Sequence, residues 1–232
     1  MIKKADLVFA STEELETYLL GRKFDRKKVV RTNFAIENEA IIQAVRRPEY
    51  ESDALFVGRI NETKGIYDML EVLNIVRQQY PHFRLSIMGE GDNNTKQKFR
   101  AKIYERKMDN NIFFWGYKNK QEKYDIIKSA KCFWFLSISK SESFGIALLE
   151  AVCSGIPAFC YNLPQFSRLY QNDEVNISPN GDFRQVAEKV IGLFRNGDFS
   201  NEKGKLLLGK YSWKKIAEIQ YKNIKKLMDN CK

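Results

Sequence analysis

Glu142 and Glu150 stand eight residues apart in the stretch 137–157, S-I-S-K-S-E-S-F-G-I-A-L-L-E-A-V-C-S-G-I-P. Ile146, Ala147, Leu148, Leu149, Ala151, Val152 and Cys153 cover every side of a helix, so that helix is expected to be buried. Glu150 lies inside it, and a buried carboxylate needs hydrogen-bond donors. Glu142 lies just before the helix begins. Ser143, Phe144 and Gly145 are expected to offer free backbone N–H groups at the helix mouth, which suits an anion. An anion at the mouth and hydroxyls beside Glu150 together describe a nucleoside diphosphate.

Three more loops carry polar chemistry. In V-G-R-I-N-E-T-K-G, residues 57–65, Gly58 lets backbone approach a ligand closely. Arg59 and Lys64 place two cations across one strand-to-helix turn. Arg grips two phosphate oxygens at once and Lys acts as a point charge. Taken alone, the same residues fit a solvated Lys64 and an Arg59–Glu62 pair. The loop M-G-E-G-D, residues 88–92, lacks the third glycine of a dinucleotide fingerprint. In W-G-Y-K, residues 115–118, Tyr117 or its backbone suits the face of a flat base, and core packing suits it equally.

Other chemistries lack their residues. His82 is the single histidine, so no Ser-His-Asp or Cys-His set is available. No metal-ligand spacing appears. Glu142 and Glu150 sit in unlike settings, one at the helix mouth and one within it. That argues against an acid/base pair flanking a glycosidic bond. Cys132, Cys153, Cys160 and Cys231 form no C-x-x-C pair and read as reduced thiols of a cytoplasmic protein. The amino-terminal M-I-K-K-A-D has no signal-peptide core, and no apolar run approaches a membrane span.

The elements that must position these loops follow from periodicity. The 232 residues are 44% hydrophobic, enough for a substantial core. Strands are expected over 5–10, 29–30, 54–57, 83–88, 112–115, 132–136 and 156–160. Helices are expected over 12–21, 64–79, 95–107, 121–129 and 183–194, the first capped by Ser11 with Glu14 in a capping box. Residues 33–53 read as a linker. Strands alternating with helices give an α/β fold with a Rossmann-like parallel sheet and helices on both faces. Ligands then bind at the carboxyl ends of the strands, near a topological switch point. The net charge is +10, which suits nucleic acid, an anionic membrane or phosphate-bearing substrates, and equally a solvated lysine-rich surface. No nucleic-acid motif appears. The last helix, 212–229, carries Trp213, Ile216, Tyr221, Ile224, Leu227 and Met228 at helical spacing, read as core packing. Nine lysines against three acids between 201 and 232 make its other face basic; it is either solvated or laid on an anionic membrane.

V-G-R-I-N-E-T-K-G, I-M-G-E-G-D, F-F-W-G-Y and E-S-F-G-I-A-L-L-E-A-V-C-S-G-I-P together resemble one family. They look like the C-terminal, nucleotide-sugar-binding domain of retaining GT-B glycosyltransferases, the glycosyl transferases group 1. The resemblance runs over about residues 5–230. It implies a hexosyltransferase that moves a sugar from a UDP- or GDP-sugar to a glycan or lipid-linked acceptor, with retention, in cell-surface polysaccharide synthesis. By resemblance, Arg59 and Lys64 match the pair on the donor diphosphate. The backbone of Phe144, Gly145 and Ile146 matches the helix mouth that holds the phosphates. Glu150 matches the acid on the ribose, and Glu142 the acid on the donor sugar. Gly116, Tyr117 and Lys118 match the base-side wall. No metal or other cofactor is implied.

The chain also departs from the family. Residues 1–50 resemble only the last strand-and-helix unit of the acceptor-binding domain plus the linker, and 51–232 the donor domain with its C-terminal amphipathic helix. The family's histidine in the first domain has no match. N-F-A-I from Asn33 replaces a common N-G-V-D, Ile138 replaces a common proline, Pro164-Gln165 replaces a glycine pair, and Arg168 replaces an acid. The expectation is a donor-binding half, or a non-catalytic nucleotide-sugar-binding subunit, that needs a partner chain carrying the acceptor domain. The expected location is the cytoplasm, with or without peripheral contact at the inner face of the membrane.

Overall fold

The structure, a computed structural model, describes residues 4–139 and 142–229. Cys231, and Lys140 and Ser141 of the stretch above, lie outside the described residues. The chain divides into two compact units, residues 39–206 and residues 1–38 together with 207–232.

The larger unit holds six parallel strands: β3 (Ser52–Val57), β4 (Leu85–Met88), β5 (Ile112–Gly116), β6 (Ala130–Phe135), β7 (Ala158–Tyr161) and β8 (Asn176–Ser178). Their order is β5-β4-β3-β6-β7-β8. Successive strands are added outward on one side of β3 and then, from β6, on the other. The reversal falls between β3 and β6. They pair in register as Ser52 with Ala130, Ala54 with Cys132 and Leu55 with Phe133. Crossover helices are α3 (Ile66–Val76), α4 (Asn93–Glu105), α5 (Lys120–Ser129), α6 (Ile146–Cys153), α7 (Pro164–Leu169) and α8 (Phe183–Asn196), with a short α9 (Glu202–Lys205) after them.

Strand alternation sorts the core into two faces. Ala54, Phe56, Cys132 and Trp134 pack with Leu70, Leu73, Val186 and Val190 from α3 and α8. Leu55 and Phe133 point to the opposite face, where α5 and α6 lie against β6, and are fully buried too. Strands covered on both faces read as continuous apolar runs.

The sequence reading missed β8 and α7. Asn176–Ser178 is three residues long, too short for periodicity. Pro164 starts α7, and proline reads as a breaker although its missing N–H is harmless in a first turn. The expected linker 33–53 is also partly structured. It contains α2 (Asn38–Gln43) and a turn of 3-10 helix at Pro48–Tyr50.

Residues 40–50 are strapped along α5 through one buried carboxylate. Asp125 accepts from the Val45 N–H at 3.1 Å, Arg47 Nε at 2.7 Å and Gln121 Nε2 at 3.2 Å. Ser129 Oγ accepts the Arg47 N–H at 2.9 Å. Desolvation alone would raise the Asp125 pKa, but the Arg47, Val45 and Gln121 bonds outweigh it and hold it below the usual carboxylate range.

The smaller unit contains β1 (Val8–Ala10), α1 (Glu13–Gly21), β2 (Val29–Arg31) and α10 (Trp213–Asp229). β1 and β2 are parallel, and Ala10, Leu19 and Val29 form their core. Thr12, not Ser11, caps α1: its Oγ1 accepts the Leu15 N–H at 3.1 Å. Ile36 bridges to Ser212, and Trp213 Nε1 donates to Glu37 Oε1 at 3.0 Å. These bonds place α10 in the smaller unit, whereas the sequence reading placed the boundary near residue 50 and left this helix with the sheet domain.

The expected core stripe of α10 is mostly open. Ile216 is buried, but Trp213, Tyr221, Ile224 and Met228 are 56%, 69%, 42% and 62% exposed. Helical spacing identified an apolar face correctly but could not say that only Ile216 would be covered.

The strap on α5 predicts a specific loss. Asp125→Ala leaves the Val45 N–H without its acceptor and should cost about 2 kcal/mol in chemical denaturation at pH 7. The folded pKa of Asp125 is depressed, so its stabilisation is present above the unfolded value of about 4. It is lost as pH falls through the lower folded value. Asp125→Asn should therefore flatten the acid limb of the stability curve.

Candidate functional site

The loops after β3 and β6 become neighbours because the strand order reverses between them. The Ile138 N–H and Ser137 Oγ both donate to Thr63 O, at 3.0 and 3.2 Å. In the first loop Asn61 caps a 3-10 turn over Glu62–Lys64, accepting from the Thr63 N–H at 2.9 Å. Gly65 then adopts φ +74°, and a Cβ there would lie 1.9 Å from Leu136 O. Only glycine allows both the turn and that approach. Neighbouring loops support this one from the other side: the Gly58 N–H donates to Met88 O and the Ile60 N–H to Glu90 O, at 3.0 and 2.9 Å.

Lys64 and Arg59, alike in sequence, differ in place. Lys64 is largely buried, lies 5.7 Å from the centre of the Phe135 ring, and forms an ion pair with Glu142. Arg59 is exposed, and among the described residues it has no ion-pair partner; the Glu62 pairing that its spacing allows is absent. Ser137 Oγ lies 3.2 Å from Glu142 Oε2 as well, so its one hydrogen is shared between that oxygen and Thr63 O, and Gln165 Nε2 donates to the Glu142 carbonyl oxygen.

The mouth of α6 is built by Phe144 and Gly145. Phe144 is buried, and Gly145 takes φ +66° as the N-cap. A Cβ on Gly145 would lie 2.9 Å from the Phe166 ring of α7. Among the described residues no side chain caps the helix at Gly145. Ile146 is 42% exposed, against the expectation of a helix buried on every side. The helix is buried from Leu148 onward and open at its mouth, where the parallel sheet ends.

Glu150 is 5% exposed. Lys123 Nζ and Tyr124 OH both donate to its Oε1, at 2.6 and 2.8 Å. The burial argument requires such donors, but they come from α5, some 26 residues away, and nothing local in the sequence points to them. For the same reason nothing local in the sequence marks Ser137 and Gln165 as partners of Glu142. Tyr117 follows Gly116, which has φ +64°, and is 73% exposed. That rules out the core-packing alternative for Tyr117.

His82 lies with Tyr80, Phe83 and Phe194 in a cavity near Asp53 and Lys131, where β3 and β6 begin. It is thus at the opposite end of the sheet from these loops. Cys132, Cys153 and Cys160 are buried and unpaired. Burial pushes all three thiols up, Cys153 to about 12, so none is a thiolate at neutral pH. Among the described residues no three His, Cys, Asp or Glu side chains cluster as a metal site.

A parallel sheet whose strand order reverses between β3 and β6, with a helix mouth beside that reversal, is the Rossmann-like architecture of GT-B glycosyltransferases. The structure matches a glycosyltransferase from Rickettsia africae with TM-score 0.84 at 16% identity, covering 99% of this chain and 65% of that one. It matches Anabaena HepE, solved with UDP and glucose, with TM-score 0.78 at 12% identity, covering 97% and 63%. The family model for glycosyl transferases group 1 matches residues 37–205, and the chain belongs to that family. A phosphatidyl-myo-inositol mannosyltransferase of Mycobacterium leprae is 30% identical over 176 residues, 73% of this chain and 45% of the relative. A GDP-mannose:cellobiosyl-diphosphopolyprenol alpha-mannosyltransferase of Xanthomonas campestris is 26% identical over 168 residues, covering 70% and 44%. The chain therefore spans about half the length of these curated relatives.

The loop geometry has a direct test. Gly65→Ala combines a left-handed φ with an overlap on Leu136 O and should cost about 2–3 kcal/mol in denaturant unfolding.

Proposed function

We propose that this chain is the donor-binding half of a retaining hexosyltransferase, and that it binds the diphosphate of a UDP- or GDP-sugar in the β3/β6 crevice. The observation that carries the reading is the grouping of Lys64, Glu142 and the uncapped mouth of α6 at one strand reversal, with Glu150 one turn further into the helix. Lys64 and Arg59 bind the diphosphate, with the N–H groups at Gly145 and Ile146 as further donors. Glu150 takes the ribose hydroxyls, Tyr117 and the Gly116 turn face the base, and Glu142 faces the donor sugar. Gly58 keeps the loop backbone close to the phosphates.

The chemistry follows from charge. When the bond between the anomeric carbon and the diphosphate breaks, positive charge grows on the sugar and negative charge on the leaving group. Arg59, Lys64 and the positive end of α6 stabilise the departing diphosphate. The acceptor hydroxyl attacks from the same face and passes its proton to the departing diphosphate, so configuration is retained. No metal is required in this reading, because the cations and the helix mouth carry the counter-charge.

The acceptor is a glycan or lipid-linked chain, as the names of the relatives suggest. Its binding domain is supplied by a partner chain or by further sequence, a reading supported by the half-length match. That same half-length favours a second reading, a non-catalytic nucleotide-sugar-binding subunit. Transfer activity that appears when an acceptor domain is added separates the two. The location proposed is the cytoplasmic face of a membrane, held peripherally; no helix among the described residues is long and apolar enough to cross one. The supporting observation is α10. Its exposed Trp213, Tyr221, Ile224 and Met228 fall on one side, and Lys214 and Lys225 border that side at helical spacing.

Titration calorimetry with UDP, GDP and their sugars should give binding heat for one base over the other. Lys64→Ala and Glu150→Ala should each weaken it at least tenfold, about 1.4 kcal/mol. Absence of heat with every nucleotide overturns the donor-site reading. In a separate experiment, the chain should sediment with vesicles rich in phosphatidylglycerol and not with phosphatidylcholine alone. Trp213→Ser with Tyr221→Ser should abolish that.

A further inference from the structure

The carboxylate of Glu150 is held at one oxygen only. Lys123 Nζ and Tyr124 OH both donate to Oε1, at 2.6 and 2.8 Å. Among the described residues no bond falls on Oε2. A carboxylate is planar, so two donors fixed on Oε1 set the rotation of the whole group and hence the direction of Oε2. Both donors are themselves held. Tyr124 is 2% exposed, and its ring carries the Lys123 ammonium at 4.4 Å from the centroid. Lys123 remains about a quarter exposed, with its head turned to Glu150 rather than to bulk water.

The pair comes from adjacent positions of α5, a helix with an otherwise polar surface. An isolated carboxylate as buried as Glu150 is costly, so Tyr124 alone would meet the need for a hydrogen bond but not for a counter-charge. Lys123 supplies both. Its charge also limits what Glu150 can bind: with Oε1 neutralised, Oε2 is left as an acceptor for neutral donors such as hydroxyls.

We propose that Lys123, with Tyr124, is a positioning residue that aims Glu150 Oε2 at the two hydroxyls of a ribose, and so makes the site select ribonucleotides over deoxyribonucleotides. This rests on the donor-site reading above. Lys123 does not touch the diphosphate in this account; it acts through Glu150.

The test uses the full chain and three probes: the nucleoside diphosphate that the wild type binds best, its 2′,3′-dideoxy analogue, and inorganic pyrophosphate. Lys123→Met should weaken the ribonucleotide about tenfold and change the other two less than twofold, so the ribo-to-dideoxy ratio collapses. Lys123→Arg should keep most of that ratio. Tyr124→Phe, which retains the buried ring, should reduce the ratio by a smaller factor and guards against a folding effect of Lys123→Met. An unchanged ribonucleotide affinity in Lys123→Met overturns the proposal. An equal loss on all three probes also overturns it, because Lys123 would then be a phosphate contact. A wild type that binds none of the probes defeats the donor-site reading itself and this proposal with it.

Discussion

The pairing of β3 with β6 is the constraint on which the rest of the site depends. Six parallel strands ordered β5-β4-β3-β6-β7-β8 must send one set of crossovers outward on each side of that pair. The crossovers from β3 and β6 run to opposite sides, and the carboxyl ends of such a strand pair are where open α/β sheets take ligands. Two hydrogen bonds to Thr63 O then tie the loops at their bases. Gly65 allows the tie, because any side chain there would strike Leu136 O. Thr63 and Lys64 meet Ser137, Ile138 and Glu142, more than seventy positions on, because the strand order sets their loops side by side.

Three little-exposed carboxylates of the larger unit each carry a cation: Asp125 has Arg47, Glu142 has Lys64 and Glu150 has Lys123, whereas the buried Glu174 accepts from the Asn172 N–H and Nδ2. Pairing lowers the cost of taking a carboxylate out of water without making it strongly stabilising. The three pairs nevertheless differ in use. The Asp125 pair fastens residues 40–50 to α5 and faces no crevice. The Glu142 pair occupies Lys64 with an internal anion, so a diphosphate has to share or displace that partner. The Glu150 pair occupies only Oε1 and leaves the other oxygen outside the pair.

The smaller unit has a different imbalance. A two-stranded sheet with one covering helix has little core of its own, and among the described residues Ala10, Leu19 and Val29 are the buried members of its cluster. α10 adds a stripe of large apolar side chains that remain open. Contiguous exposure of this kind marks a surface that meets something else.

Much was legible from the residues themselves. The alternation of apolar runs with glycine-ended loops gave the α/β fold, and the acid inside an apolar helix marked Glu150 as needing donors. The four motifs indicated the family before any coordinates. Those features are local: periodicity, turn residues and spacing act within a few residues. What only tertiary structure decided is non-local. Lys123 and Tyr124 are on another helix from Glu150, Lys64 meets Glu142 across 78 positions, and Arg59 turns outward while Lys64 turns inward. The open stripe on α10 and the strap at Asp125 belong to the same class. Hydrophobic spacing states which face of a helix is apolar, but only the assembled fold states what covers it.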